Sequence, residues 1–181
     1  MPDKKIGSNS SVISPLEWYK LLDPLPERHQ IQPNGIDLRI NNIYKFSVGA
    51  KRLVFGRAIK NGCSLELYTP LYDEHLHGYY WELEAGSAYV IEYLEEVKIP
   101  EYALGLFFQR SSLWRLYGAV IYSSVWDSGY HGVGRGLLRT TLKFSLEKGA
   151  AVGQLVLFRS ESAGAYKGSY QGEGVSKKGG I

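Results

Sequence analysis

After Pro33 the chain breaks into short runs in which apolar and polar positions alternate, the period of half-buried strands. These runs predict strands at Asp37–Phe46, Arg52–Phe55, Ser64–Thr69, Tyr79–Leu83, Ser87–Ile99, Leu104–Gln109, Ala119–Val125, Gly136–Phe144 and Val152–Arg159. Turn signals such as Asn61-Gly62, Ala85-Gly86 and Lys148-Gly149 punctuate them. Tyr89-Val90-Ile91-Glu92-Tyr93-Leu94 is almost continuously apolar, which predicts a strand covered on both faces. Before Pro33, Ser14-Pro15-Leu16-Glu17 reads as a helix start, with Ser14 as cap, Glu17 reaching back to it and Pro15 at the first helical position. That helix should stop near Leu22, because Pro24 and Pro26 follow. Residues 1–12 are polar and aperiodic and predict a frayed end. Many short strands with one or two short helices imply a mainly β sandwich, barrel or jelly roll.

The composition fits that pattern. Glycine makes up 21 of 181 residues, and tyrosines (14) outnumber phenylalanines (6), as suits turn-rich β structure. Cys63 is the single cysteine, so one chain forms neither an internal disulfide nor a thiolate zinc cluster. No apolar run approaches membrane-spanning length and no signal peptide is visible, which predicts a soluble, cytoplasmic protein without a membrane role. A net charge of +3 is too small to argue for nucleic acid. Between Glu101 and Gly149, however, six cations face three anions, so this window holds the chain's whole excess. It is either a solvated face or a pocket for a small polyanion.

Five places could carry chemistry. Arg110-Ser111-Ser112 lies between a strand and a helical turn, where hydroxyls and a forked cation suit phosphate oxygens, although a serine there can simply cap the helix. Asp127-Ser128-Gly129-Tyr130 reads as a hairpin turn with one carboxylate and a flat ring able to meet a sugar or base; structural turn chemistry would need the same aspartate. His131 is read as a polar turn residue without chemistry. Asp37 enters a strand after the Pro33-Asn34-Gly35 turn, as a turn residue or as a holder of metal-bound water. Gln154 is a lone amide in an apolar strand and must be satisfied by structure or by ligand. The segment 163–181 is glycine-rich with few apolar anchors and cannot form a core by itself. Its Tyr166, Lys167, Tyr170 and Gln171 could contact a ligand if the arm orders over one. Because the predicted strands end earlier, removing it should leave melting nearly unchanged.

Taken in order, Gly35-Ile36-Asp37-Leu38, Arg110-Ser111-Ser112-Leu113, Asp127-Ser128-Gly129-Tyr130-His131-Gly132, Gly153-Gln154-Leu155-Val156 and Tyr170-Gln171-Gly172-Glu173 form a pattern over some four-fifths of the chain. It resembles the dUTP pyrophosphatase and dCTP deaminase superfamily, especially the archaeal-type dUTPases. The resemblance implies an all-β distorted jelly roll of the β-clip kind, assembled as a homotrimer, with a domain over 1–162 and a C-terminal arm over 163–181. It implies hydrolysis of dUTP to dUMP and pyrophosphate with Mg²⁺. By the same resemblance Asp127 is the general base, Arg110, Ser111, Ser112 and Gln154 bind phosphates, and Tyr130 packs on the deoxyribose. Asp37 holds water on the Mg²⁺, while Tyr166, Lys167, Tyr170 and Gln171 belong to the closing arm. Deaminases of the superfamily carry a glutamate in the strand after the hairpin, and 133–144 here contains no carboxylate. A dCTP deaminase, alone or bifunctional, is therefore the alternative, with a catalytically silent nucleotide-binding relative as a third.

Overall fold

The computed structural model describes residues 11–49, 52–55 and 60–175. In chain order its elements are α1 (Pro15–Trp18), β1 (Leu22–Asp23), β2 (Ile36–Ser47), β3 (Val54–Phe55), β4 (Lys60–Asn61), β5 (Ser64–Tyr68), β6 (Leu71–Asp73), β7 (Gly78–Leu83) and β8 (Ala88–Lys98). There follow β9 (Ala103–Gln109), α2 (Ser111–Tyr117), β10 (Ala119–Tyr122), β11 (His131–Thr140), β12 (Phe144–Glu147) and β13 (Ala151–Arg159). The main antiparallel sheet has the order β10-β11-β8-β2-β13-β9, with β1 on β8 and β5 on β2. After β10 the chain crosses back to β9, where Trp126 and Gly105 exchange both backbone hydrogen bonds (2.8 and 2.9 Å). The sheet thus comes close to a barrel, which pairs edges that would otherwise stay open. A smaller sheet, β12-β7-β6, stands beside it.

The core follows the alternation in the sequence. Ile36, Leu38 and Ile40 of β2 and Leu155 and Leu157 of β13 point inward at every second position and are fully buried, together with Trp18, Trp81 and Tyr93. In β8, Ile91, Glu92 and Tyr93 are consecutively buried, so that strand is covered on both faces as its pattern predicts.

Several expectations need correction. Ser14 makes no side-chain cap, and Glu17 pairs instead with Arg159 (3.3 Å), so α1 ends after one turn and continues as a 3-10 turn over Tyr19–Leu21. Residues 1–10 lie outside the described residues, but Ser11 to Ile13 are already paired with β13. The run predicted as Gly136–Phe144 is two strands, because β11 starts at His131 and a turn at Thr141–Lys143 starts β12 in the other sheet. The short strands β1, β4 and β6 have no periodicity to announce them. Beneath β2, Glu95 is completely buried and accepts from Gln30 Nε2 (2.9 Å), the Arg39 amide (2.9 Å) and Arg39 Nε (2.8 Å). This network satisfies a charge that would be very costly alone. No helix among the described residues is long and apolar enough to cross a membrane.

Candidate functional site

The residues singled out in the sequence fall into two groups. The first is a row across three strands, because the register sets Asp37 opposite Gln154 and Gln154 opposite Phe108. Arg110 follows one step beyond β9, with its amide bonded to Val152 O (3.0 Å). Asp37, 4% exposed, is approached by Arg110 Nε (3.8 Å), Gln32 Nε2 (3.2 Å) and Gln154 Nε2 (3.5 Å). Burial pushes its carboxyl above the ordinary range, while Arg110 and the two amides oppose that shift. Gly35 is required here, since a Cβ at that position would lie 2.5 Å from Leu155 O and 2.7 Å from the Gln154 side chain. Ser111 and Ser112 open α2 as exposed hydroxyls. They are not its caps, because the N-cap position belongs to Arg110, which makes no side-chain bond there. Arg110 and Ser112 line a hollow of about 270 Å³.

The second group lines a cleft of about 530 Å³ that includes Trp126, Asp127, Tyr130, Arg135, Tyr166, Tyr170 and Glu173. Asp127 is exposed, on the long connection from β10 to β11. The connection is fixed on both sides of it by the Trp126 bridge and by Ser128 Oγ donating to Ala103 O (2.7 Å). Tyr130 is mostly buried (8% exposed), edge-on to both Trp126 and Tyr166. Burial, reinforced by Glu173, pushes its hydroxyl up to about 12. His131 begins β11 and pairs with Glu96, so it is more than a turn residue.

The arm is the largest departure from expectation. Glycine-rich composition predicted a segment without packing, yet through Val175 it lies along its own hairpin. The Tyr166 amide donates to Ser128 O (2.7 Å), that of Gly172 to His131 O (2.8 Å), and that of Val133 to Glu173 O (2.7 Å). The Gln171 side chain accepts from the His131 amide and donates to Gly129 O, both at 3.1 Å. Backbone pairing adds to the one aromatic anchor, Tyr166, which packs against the core beside Tyr130. Lys167 is exposed, and Tyr170, 63% exposed, stands at the cleft.

Sequence reasoning missed Gln32, Glu92 and Arg135 and took Glu173 only as part of the tail motif, with no role of its own. Arg135 Nε and Nη2 donate to Glu92 Oε2 (3.0 and 2.7 Å), and Nη1 lies 2.9 Å from Glu173 Oε1. Only the positive window between Glu101 and Gly149 hinted at Arg135.

The two groups do not meet within one chain. Trp126 and Ser128 are tied to Gly105 and Ala103, near the start of β9, whereas Arg110 follows its end. At about 3.3 Å per residue, the five to seven steps along the chain place them roughly 16–23 Å apart.

The nearly closed antiparallel sheet thus carries two distinct sites, an anion-suited row and an aromatic, carboxylate-bearing cleft. Residues 16–160 match the family described as dCTP deaminase-like, and the chain belongs to it. Among its relatives is the probable deoxyuridine 5'-triphosphate nucleotidohydrolase of Halobacterium salinarum, 35% identical over 144 residues that cover 80% of this chain and 84% of the relative. The deoxyuridine 5'-triphosphate nucleotidohydrolase of Methanocaldococcus jannaschii is 34% identical over 150 residues, 81% of this chain and 90% of that one. Among solved structures, the 2'-deoxycytidine 5'-triphosphate deaminase from Agrobacterium tumefaciens superposes with a TM-score of 0.51 at 16% identity. That match covers 74% of this chain and 42% of the other, so this chain spans under half of its length, and the likeness concerns the fold.

Proposed function

We propose that the protein is a dUTP pyrophosphatase, hydrolysing dUTP to dUMP and pyrophosphate. The observation that carries the reading is the segregation of the motif residues into two complementary groups. Arg110, Ser111, Ser112 and Gln154 offer donors for phosphate oxygens, and the cleft offers aromatic walls and one exposed carboxylate for the nucleoside and the attacking water. The names of the relatives support dUTP as the substrate.

In this mechanism Asp127 accepts a proton from water as the water oxygen bonds to the α-phosphorus, and the bond from that phosphorus to the bridging oxygen breaks to release pyrophosphate. Arg110 and the serine hydroxyls hold the phosphates in line and neutralise growing charge. Tyr130 positions the sugar, and the arm excludes water. Among the described residues no three His, Cys, Asp or Glu side chains converge on a metal site. One buried carboxylate that already receives two amides suits Mg²⁺ held mainly by phosphates and water, with Asp37 accepting from a bound water. When bound, Mg²⁺ would neutralise triphosphate charge.

A separation of roughly 16–23 Å between the two groups supports assembly of the complete site from neighbouring copies, as in a homotrimer. Phe108, Trp114, Tyr122 and Val125 are exposed beside both groups and would be covered by such an assembly. Incubation with dUTP, dCTP or dTTP and Mg²⁺, followed by product identification, tests the reading. dUMP and pyrophosphate should form from dUTP, and no ammonia should be released from dCTP. Ammonia release would move the assignment to deamination, with Glu173 rather than β11 as the source of a carboxylate.

A further inference from the structure

The proposed reaction needs a group that distinguishes uracil from cytosine, and the charges of the larger cleft indicate one. Its charged lining is Asp127, Arg135 and Glu173, one cation against two anions. Glu92, paired with Arg135 from behind, adds a third carboxylate. A triphosphate is repelled by that balance, whereas a neutral ring between Trp126, Tyr166 and Tyr170 is not. The base therefore belongs in this cleft and the phosphates in the Arg110 row.

Arg135 stands where this cleft meets an adjoining hollow of about 360 Å³, and Ser123 and Ser124 line both spaces with it. Serine hydroxyls donate and accept, so they cannot tell a carbonyl from an amino group. A guanidinium only donates, through five N–H groups in a rigid fork. Three of them engage Glu92 and Glu173, and Tyr44 flanks the plane with its ring 5.1 Å away. At least one N–H remains for the cleft. The two carboxylates hold the fork from opposite sides, one from β8 and one from the arm.

We propose that Arg135 is a specificity-determining residue: it donates to the uracil carbonyl oxygen at the ring position where cytosine carries an amino group. Glu92 and Glu173 fix its orientation, and Glu173 joins base reading to arm closure. The inference rests on the reading of the site as one for a deoxyuridine nucleotide.

The test is calorimetric binding of dUMP and of dCMP to the full-length protein, beside dUTP hydrolysis. The wild type should prefer dUMP. Arg135→Lys keeps the charge between the carboxylates but loses the fork, and should cut the dUMP-to-dCMP preference at least about tenfold, mainly through weaker dUMP binding. Arg135→Gln with Glu92→Gln removes the charge pair together and should do the same, with circular dichroism and melting reporting the fold. An unchanged or increased preference in either folded variant overturns the proposal, as does collapse of both, which would assign Arg135 to the fold. Active wild-type protein whose discrimination survives substitution sinks the role of Arg135 alone. Wild-type protein that neither binds dUMP nor hydrolyses dUTP sinks the dUTP reading and this inference with it.

Discussion

Gly134→Ala should damage stability and turnover together. Gly134 lies in β11 directly against the Trp126 indole, and a Cβ there would sit 2.2 Å from Cη2 and 2.3 Å from Cζ2. An ordinary carbon contact is about 3.5 Å, so ring or strand must yield by about 1.3 Å. The ring has little freedom, since the Trp126 backbone is bonded twice to Gly105 and its indole N–H donates to Ser123 Oγ (3.2 Å). Overpacking of this kind costs about 1–3 kcal/mol. For a chain of this size each kcal/mol lowers the melting midpoint by about 2–4 °C, so a fall of about 2–12 °C is expected. Asp127 follows Trp126 directly, and a displacement near 1 Å can cost about a hundredfold in rate. The assays are thermal melting by circular dichroism and pyrophosphate release from dUTP. In a Trp126→Phe background the clashing outer ring is absent, so Gly134→Ala should there cost much less. Equal losses in both backgrounds, or wild-type melting and turnover in Gly134→Ala, would refute the packing argument.

Asp127→Asn keeps shape but loses proton acceptance, so dUTP analogue binding should persist while turnover falls at least about a hundredfold; near-normal turnover would remove Asp127 from the role of base. Asp37 has a folded-state pKa above its unfolded value, so the folded chain binds the extra proton and loses stability as pH rises through that range. Asp37→Asn should therefore melt higher than wild type at pH 7, with the advantage shrinking on acidification toward about pH 4, and should hydrolyse dUTP more slowly; a lower melting point at pH 7 would contradict this. Truncation after Ser162 removes Tyr166 from its contact with Tyr130 and the arm from β11, so the midpoint should drop by several degrees and turnover should fall strongly. Unchanged melting would mean that these arm contacts contribute little.

Much of the fold was legible from local pattern. The alternation around Asp37 and Val152 located β2 and β13, and the continuous apolar run from Tyr89 located β8, because burial of one face or of both is written in the residues themselves. The division of 136–144 between two sheets was not, because it depends on a turn whose partner strand, β7, lies far away in sequence. Asp37, Arg110 and Gln154 were selectable as separate motif residues, and the register of β2, β13 and β9 brings them together. Arg135 and Glu92 were invisible as a pair, since they are 43 positions apart and meet only through the β11–β8 register. Glu173 was legible as part of the tail but not as a partner, because the arm is docked by backbone pairing and by the packing of Tyr166 on Tyr130, both of which depend on residues far away in sequence.

The sequence by itself determined the β-rich class, the core-facing positions and the ordered motifs that place the chain among nucleotide enzymes. These are short-range properties, in which strand period, turn chemistry and side-chain type coincide within a few residues. Only the tertiary structure decided that the motifs divide into two groups at opposite ends of β9, that the arm lies on its own hairpin, and that an arginine between two carboxylates stands in the cleft. Those are properties of register and sheet closure, where residues far apart in sequence share a site only after the strands have chosen their neighbours.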